Sequence, residues 1–264
     1  MAGKLGQLEA AFMAYVQMRD LQTVRSGDLV GPLRLSAKQE QDLLSRMNRR
    51  GMIAQVRRGL YLVPTKLPLG GVWTPDEASA LAAIMADKQA RYQITGPNAF
   101  NRYGFDEQIP SRIHAYNDVI SGERTVGQVE LTLIKVSKNR LGDTEQVETP
   151  SGETMVYSSR VRTLVDAVYD WSRFDSLPRA YEWIRSDIDA SRVDPADLGK
   201  SVIRYGNRGT IRRIGALLEQ FGVAEKVLKR LERALPPSGA KIPLLPGHPT
   251  RGALMKRWGI VSNA

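Results

Sequence analysis

SAKQEQDLLSRMNRRGMIAQVRRGLYLVP, residues 36–64, is the stretch on which the fold turns. Ser36 reads as a helix N-cap, with Gln39 three residues on as its capping-box partner. Ala37, Leu44 and Met47 then form an inward face, and Gly51 reads as the C-terminal glycine. MIAQV and LYLV follow as short strands joined by Arg57-Arg58-Gly59, where Gly59 supplies the positive φ of a tight hairpin turn. Leu60, Leu62 and Val63 are expected to pin this hairpin to its own domain, and Pro64 ends it.

Upstream, LEAAFMAYVQM (8–18) sets Leu8, Phe12, Tyr15 and Val16 on one helical face. TVRSGDLVGPLRL (23–35) reads as a short second helix, capped by Ser26 and ended at Gly31-Pro32. Three helices and then a hairpin is the order of a winged helix-turn-helix. In that module the third helix enters the major groove and the hairpin lies along the neighbouring backbone.

At about 100° per residue, Lys38, Asp42, Ser45, Arg46 and Arg49 project away from the apolar face, with Gln39 at its edge. Lysine and arginine contact phosphate or read guanine, glutamine pairs with adenine, and serine is permissive. Asp42 sits awkwardly there, and is expected to accept from a cytosine amine or to orient Arg46 four positions on. Arg57 and Arg58 are expected to meet phosphate or reach the minor groove. The bland alternative is a solvated helix face beside a charged turn. The order of the elements, with arginines at the tip, favours the DNA-binding reading.

Charge is distributed to match. The 264 residues carry a net +10. Residues 1–66 hold eleven Lys/Arg against five acids, residues 67–195 fourteen against nineteen, and residues 196–264 thirteen against four. Two basic ends around an acidic middle suit an anionic polymer partner better than uniform basicity would. The C-terminal block offers a possible second basic surface: Arg204, Arg208, Arg212 and Arg213, then Lys226, Lys229, Arg230 and Arg233. A solvated face is its simpler reading.

After the hairpin, the proline- and glycine-rich segment around 67–75 reads as a linker between a DNA-binding domain at 1–66 and an α+β domain at 76–264. Thr74 is expected to cap an alanine-rich helix. RYQIT, IHAYNDV, VELTLIKV and TMVYS read as strands, and GPNAFNRYGF as a turn into a short helix. From Ser159 onward five helices follow, and a proline-punctuated tail after Leu235 wraps over them.

Enzyme chemistry finds little support. There is no cysteine, so thiol catalysis and thiolate zinc sites are excluded, and with His114 and His248 the only histidines a histidine-rich metal site is not expected. The carboxylate pairs Asp166/Asp170 and Asp187/Asp189 lack a partner at diagnostic spacing, and Arg162 and Asp166 read as an intrahelical ion pair. G-x-S-x-G, P-loop, H-E-x-x-H and G-x-G-x-x-G motifs are all missing. The expectation is no catalysis and no cofactor. No apolar run spans a bilayer and no signal-peptide order is present, so the chain reads as cytoplasmic.

Three segments resemble the AbiEi antitoxins of abortive-infection (AbiE) toxin–antitoxin systems. RRGLYLVP looks like the strand that closes that family's wing, and YQITGPNAFNRYGF (92–105) is similar to its strand–glycine–helix segment. VYSSRVRTLVDAVYD (156–170) resembles its R-T-L-x-D-A segment, here Arg162, Thr163, Leu164, Asp166 and Ala167, without the Asp-Pro-Glu lead-in. The resemblance implies an autorepressor of a type IV system that binds inverted repeats in its own promoter and counteracts a co-encoded AbiEii-type nucleotidyltransferase toxin in phage defence. It implies a monomer in solution that binds two repeats cooperatively. Two other readings stay open: a module that neutralises a toxin by direct complex formation, and a nucleic-acid-processing enzyme targeted by the winged helix.

Overall fold

The computed structural model describes residues 6–66, 72–150 and 152–263. The architecture is mixed α+β. An N-terminal unit comprises α1 (Gln7–Met18), β1 (Thr23–Arg25), α2 (Ala37–Arg49), β2 (Ala54–Arg57) and β3 (Leu60–Leu62). Its three strands pair antiparallel in the order β1-β3-β2. Phe12, Val16, Val24, Leu29, Leu43, Leu44 and Met47 form its core. Both members of the Ser36/Gln39 capping box are in place. Ala37, however, is exposed, and Leu43 takes the inward position expected of it.

The expected second helix is not there. Thr23–Arg25 is extended, with β-branched residues and only Val24 facing inward, and it registers Thr23 to Leu62 and Arg25 to Leu60. Residues 26–34 form turns, as Gly27, Gly31 and Pro32 favour. What fixes them is Glu40, a buried carboxylate on α2 that accepts the N–H groups of Gly27 (2.7 Å) and Leu29 (2.8 Å).

Beyond the expected linker, of which 67–71 lie outside the described residues, comes α3 (Glu77–Lys88), capped by Asp76 rather than Thr74. A mixed sheet follows from β4 (Tyr92–Ile94), β5 (Ile113–Asn117), β6 (Gly122–Val126), β7 (Val129–Lys135), β8 (Thr144–Glu148) and β9 (Thr154–Ser158), in the order β6-β7-β5-β4-β9-β8. The sequence reading lacks β6 and β8. GERTV and TEQVE are mostly exposed edge strands with no apolar alternation to betray them. α4 (Pro97–Arg102) follows β4 and places Phe100 in one cluster with Tyr116 and Leu164.

The helical block is α5 (Arg160–Tyr169), α6 (Trp171–Phe174), α7 (Arg179–Asp189), α8 (Pro195–Tyr205), α9 (Arg208–Gln220) and α10 (Glu225–Arg233). It packs on the sheet through Tyr116 and Ile134. The tail closes into a small sheet, β10 (Ile242–Pro243), β12 (Ile260–Ser262) and β11 (Ala253–Met255), laid against α9. The close approach explains Gly215: a Cβ there would collide with the Trp258 ring.

The hairpin does not stand free of the second unit. Ala54 and Leu62 join the cluster formed by α3 and the sheet (Ala80, Leu81, Ile84, Ile113, Leu131), whereas Tyr61 and Val63 face the N-terminal core. Leu62 therefore pins the hairpin to its neighbour rather than to its own unit. β3 is buried on both faces, and the change in composition near residue 66 is not a break in the apolar core.

Candidate nucleic-acid interface

Lys38, Gln39, Asp42, Ser45, Arg46 and Arg49 all lie on the exposed side of α2. The cap and the buried Leu43, Leu44 and Met47 set the rotation of the helix, and so decide which side faces out. The six are not equivalent. Gln39 Oε1 accepts the Ser36 N–H at 2.8 Å, which leaves its amide Nε2 as the outward group. Arg46 is steered by Glu9 of α1, not by Asp42: its Nε reaches the Glu9 carboxylate at 3.2 Å, beside Arg50 at 2.7 Å. Burial pushes the Glu9 carboxyl up, but the Gly6 N–H and the guanidinium groups of Arg50 and Arg46 outweigh it and hold it below the usual range. Lys38 and Arg49 carry no such partner among the described residues. Asp42 pairs with no cation among the described residues, so its expected role toward Arg46 is not met within the chain.

At the hairpin tip, Gly59 adopts φ +76° as the turn requires. The two arginines there part company. Arg57 forms a bidentate pair with Asp87 near the end of α3 (2.7 and 2.6 Å), while Arg58 stays exposed. Hydrogen bonds from Arg57 hold the Asp87 carboxyl well below its ordinary range. Arg25, in register beside the turn, reaches the same carboxylate at 3.2 Å, and Lys88 at 3.5 Å. The tip thus gathers three cations around one acid, with Arg58 exposed next to them. Arg25 and Lys88 escaped the sequence reading, the first because its strand was read as helix. The basic positions beside the Arg57 turn were visible, but nothing local pairs residue 57 with residue 87.

The second basic surface divides in the same way. Arg204, Arg208, Lys226, Lys229, Arg230 and Arg233 are exposed. Arg212 is not a surface residue: it is buried, and its Nε and Nη2 donate to the carbonyls of Trp258, Ala240 and Gly259. Arg213 is half-buried and donates to the Leu244 carbonyl. Both anchor the tail. Arg257 of the tail, in turn, is gripped by Glu219, Glu225 and Glu232.

The R-T-L-x-D-A segment builds a buried network. Asp166 is fully buried and accepts from Arg162 (2.9 Å), Arg140 (2.6 Å) and Thr95 (3.0 Å). Arg162 also donates to the Gly142 and Arg140 carbonyls, so the motif ties β4, the loop before β8 and α5 together. Asp187 is likewise buried, between Arg160 and Arg192. Both carboxylates are compensated, and no group of three acids or histidines among the described residues could hold a metal. The arrangement is one for holding structure.

Residues 34–149 match the model of a family of unknown function, DUF6088, a span that runs from α2 through β8. No curated protein matches the chain. Among solved structures, the chain is similar to one described as "Crystal structure of RV2827C protein from Mycobacterium tuberculosis". That likeness has a TM-score of 0.60 at 15% identity, over 98% of this chain and 92% of that one, and is a likeness of fold. No helix of the described residues is long and apolar enough to cross a membrane.

Proposed function

We propose that the chain is a DNA-binding autorepressor whose N-terminal unit meets DNA as a winged helix does, through α2 and the β2–β3 hairpin, with the turns at 26–34 standing where a helix-turn-helix has its preceding helix. One observation carries the reading: α2 turns a face containing Lys38, Ser45, Arg46 and Arg49, with Asp42 among them, to solvent, and the hairpin that follows it gathers Arg57, Arg58, Arg25 and Lys88 at its tip. With α2 in the major groove, the hairpin tip meets the flanking phosphates. The repeats it reads are inverted repeats in its own promoter. Its second role, countering an AbiEii-type nucleotidyltransferase toxin, rests on the resemblance of RRGLYLVP, YQITGPNAFNRYGF and VYSSRVRTLVDAVYD.

A gel shift of the full chain on its native upstream region tests the DNA reading. The double variant K38A/R49A is expected to bind at least about tenfold more weakly and to lower the salt slope by about two. Unchanged affinity rejects α2 as the reading helix. Co-expression with the neighbouring toxin gene tests the other role: restored growth supports it, and persistent toxicity rejects it.

A further inference from the structure

The tail and α9 enclose a cavity of about 250 Å³, lined by Arg208, Arg212, Lys256, Arg257 and a single acid, Glu232. Four of its five ionisable side chains are cationic, Arg257 among them already held by carboxylates, and Ser238, Leu235, Pro236, Pro237 and Trp258 also line the wall. Glu232 is already engaged with Arg257, and Glu219 and Glu225, which also hold Arg257, do not line the cavity.

Arg212 is the unusual member. A buried guanidinium ordinarily has a carboxylate beside it, because an uncompensated buried charge is costly. Arg212 has none among the described residues: its partners are three neutral carbonyls, which satisfy Nε and Nη2. Nη1 has no hydrogen-bond partner among the described residues. Burial without a counter-ion also pulls the Arg212 pKa down, as expected where the compensating anion is missing. Arg208 lies one turn earlier on the same helix, and Lys256 enters from the tail; both are exposed, and neither is bridged to an acid among the described residues.

We propose that this cavity binds a phosphate group, with Arg212 as the preformed anchor and Arg208 and Lys256 closing on the remaining oxygens. Planar guanidinium groups pair well with tetrahedral oxyanions. The volume admits a phosphate with a small substituent and excludes a duplex, of which one backbone phosphate could enter. The site is independent of α2 and the hairpin, so it stands or falls apart from the DNA-reading surface.

The test is a thermal-shift and calorimetric titration of the full chain with inorganic phosphate, against sodium chloride at matched ionic strength. Saturable stabilisation is expected, weakened about tenfold for each charge-assisted hydrogen bond lost in R208Q and K256Q. Both substitutions are at exposed positions, and circular dichroism of each variant before titration establishes that the fold is kept. A duplex arm separates the sources: reduced duplex affinity in R208Q/K256Q assigns the phosphate to a polymer, and unchanged duplex affinity to a small ligand. No stabilisation beyond chloride, or equal stabilisation in wild type and R208Q/K256Q, overturns the proposal.

Discussion

Arg57 and Arg212 both lie in basic stretches, and both place their guanidinium groups among three oxygen contacts. Arg57 makes two of them with one carboxylate, Asp87, at a half-exposed surface. Arg212 makes all of its contacts with backbone carbonyls, under the tail. The first arrangement is exchangeable, since a phosphate presents the same pair of oxygens as Asp87 and water can serve the carboxylate it leaves. The second is not, because withdrawing the guanidinium orphans three carbonyls at once. Net charge counts the two arginines equally, and the physics does not.

The buried extreme of this contrast is Arg162 with Asp166, and there the largest effect is expected. Asp166→Ala leaves Arg162 and Arg140 buried without their acid, and should cost about 3–5 kcal/mol in chemical denaturation. Arg212→Ala comes next, at about 2–3 kcal/mol, with the tail opening to proteolysis as its carbonyls lose their donor. Arg208→Ala, on the same helix but exposed, should stay within about 0.5 kcal/mol. Equal losses in Arg208→Ala and Arg212→Ala would remove the distinction.

These differences were legible in part. Periodicity and capping rules found α1, α2, the β2–β3 hairpin and the five main helices after Ser159, because each has a local apolar stripe or cap. β1 and the turns at 26–34 were hidden because what holds them is non-local: pairing with β3 and the reach of Glu40 across from α2. The exposed face of α2 was legible as a set of residues, since helical geometry dictates it. Which cations on it are tethered was not: Glu9, Asp87 and the Trp258 carbonyl lie 37, 30 and 46 residues from the arginines they hold.

At the exchangeable end, Asp87→Asn should cost about 1 kcal/mol of stability, since Arg57 is well screened by solvent. Duplex affinity should rise several-fold in the same variant, because Arg57 no longer has to leave a carboxylate. A fall in affinity would mean that Asp87 orients Arg57 for DNA rather than competing for it. The clamp is also pH-dependent with a definite sign. Asp87 and Glu9 both have carboxyl groups held below their ordinary range. Their contribution is therefore complete above the unfolded carboxylate range of about 4 and is lost as pH falls through the lower folded values. Acid unfolding of Asp87→Asn should begin from a lower baseline and show a shallower pH dependence.

The smallest stability effects belong to Arg49 and Arg58, which are exposed and whose side chains are tethered to nothing among the described residues. Alanine at either should change stability by no more than about 0.5 kcal/mol. Each should still lower the salt slope of duplex binding by about one, because each lost phosphate contact releases one fewer counterion. Arg46→Ala separates the two kinds of arginine within α2 itself. Its Nε is held by Glu9, but Arg50 satisfies the same carboxylate more closely, so the fold should tolerate the loss. If Arg46→Ala lowers the salt slope as much as Arg49→Ala, the Glu9 tether positions Arg46 for phosphate. If the slope is unchanged, the tether withholds it, and α2 reads DNA with Lys38 and Arg49 alone among its cations.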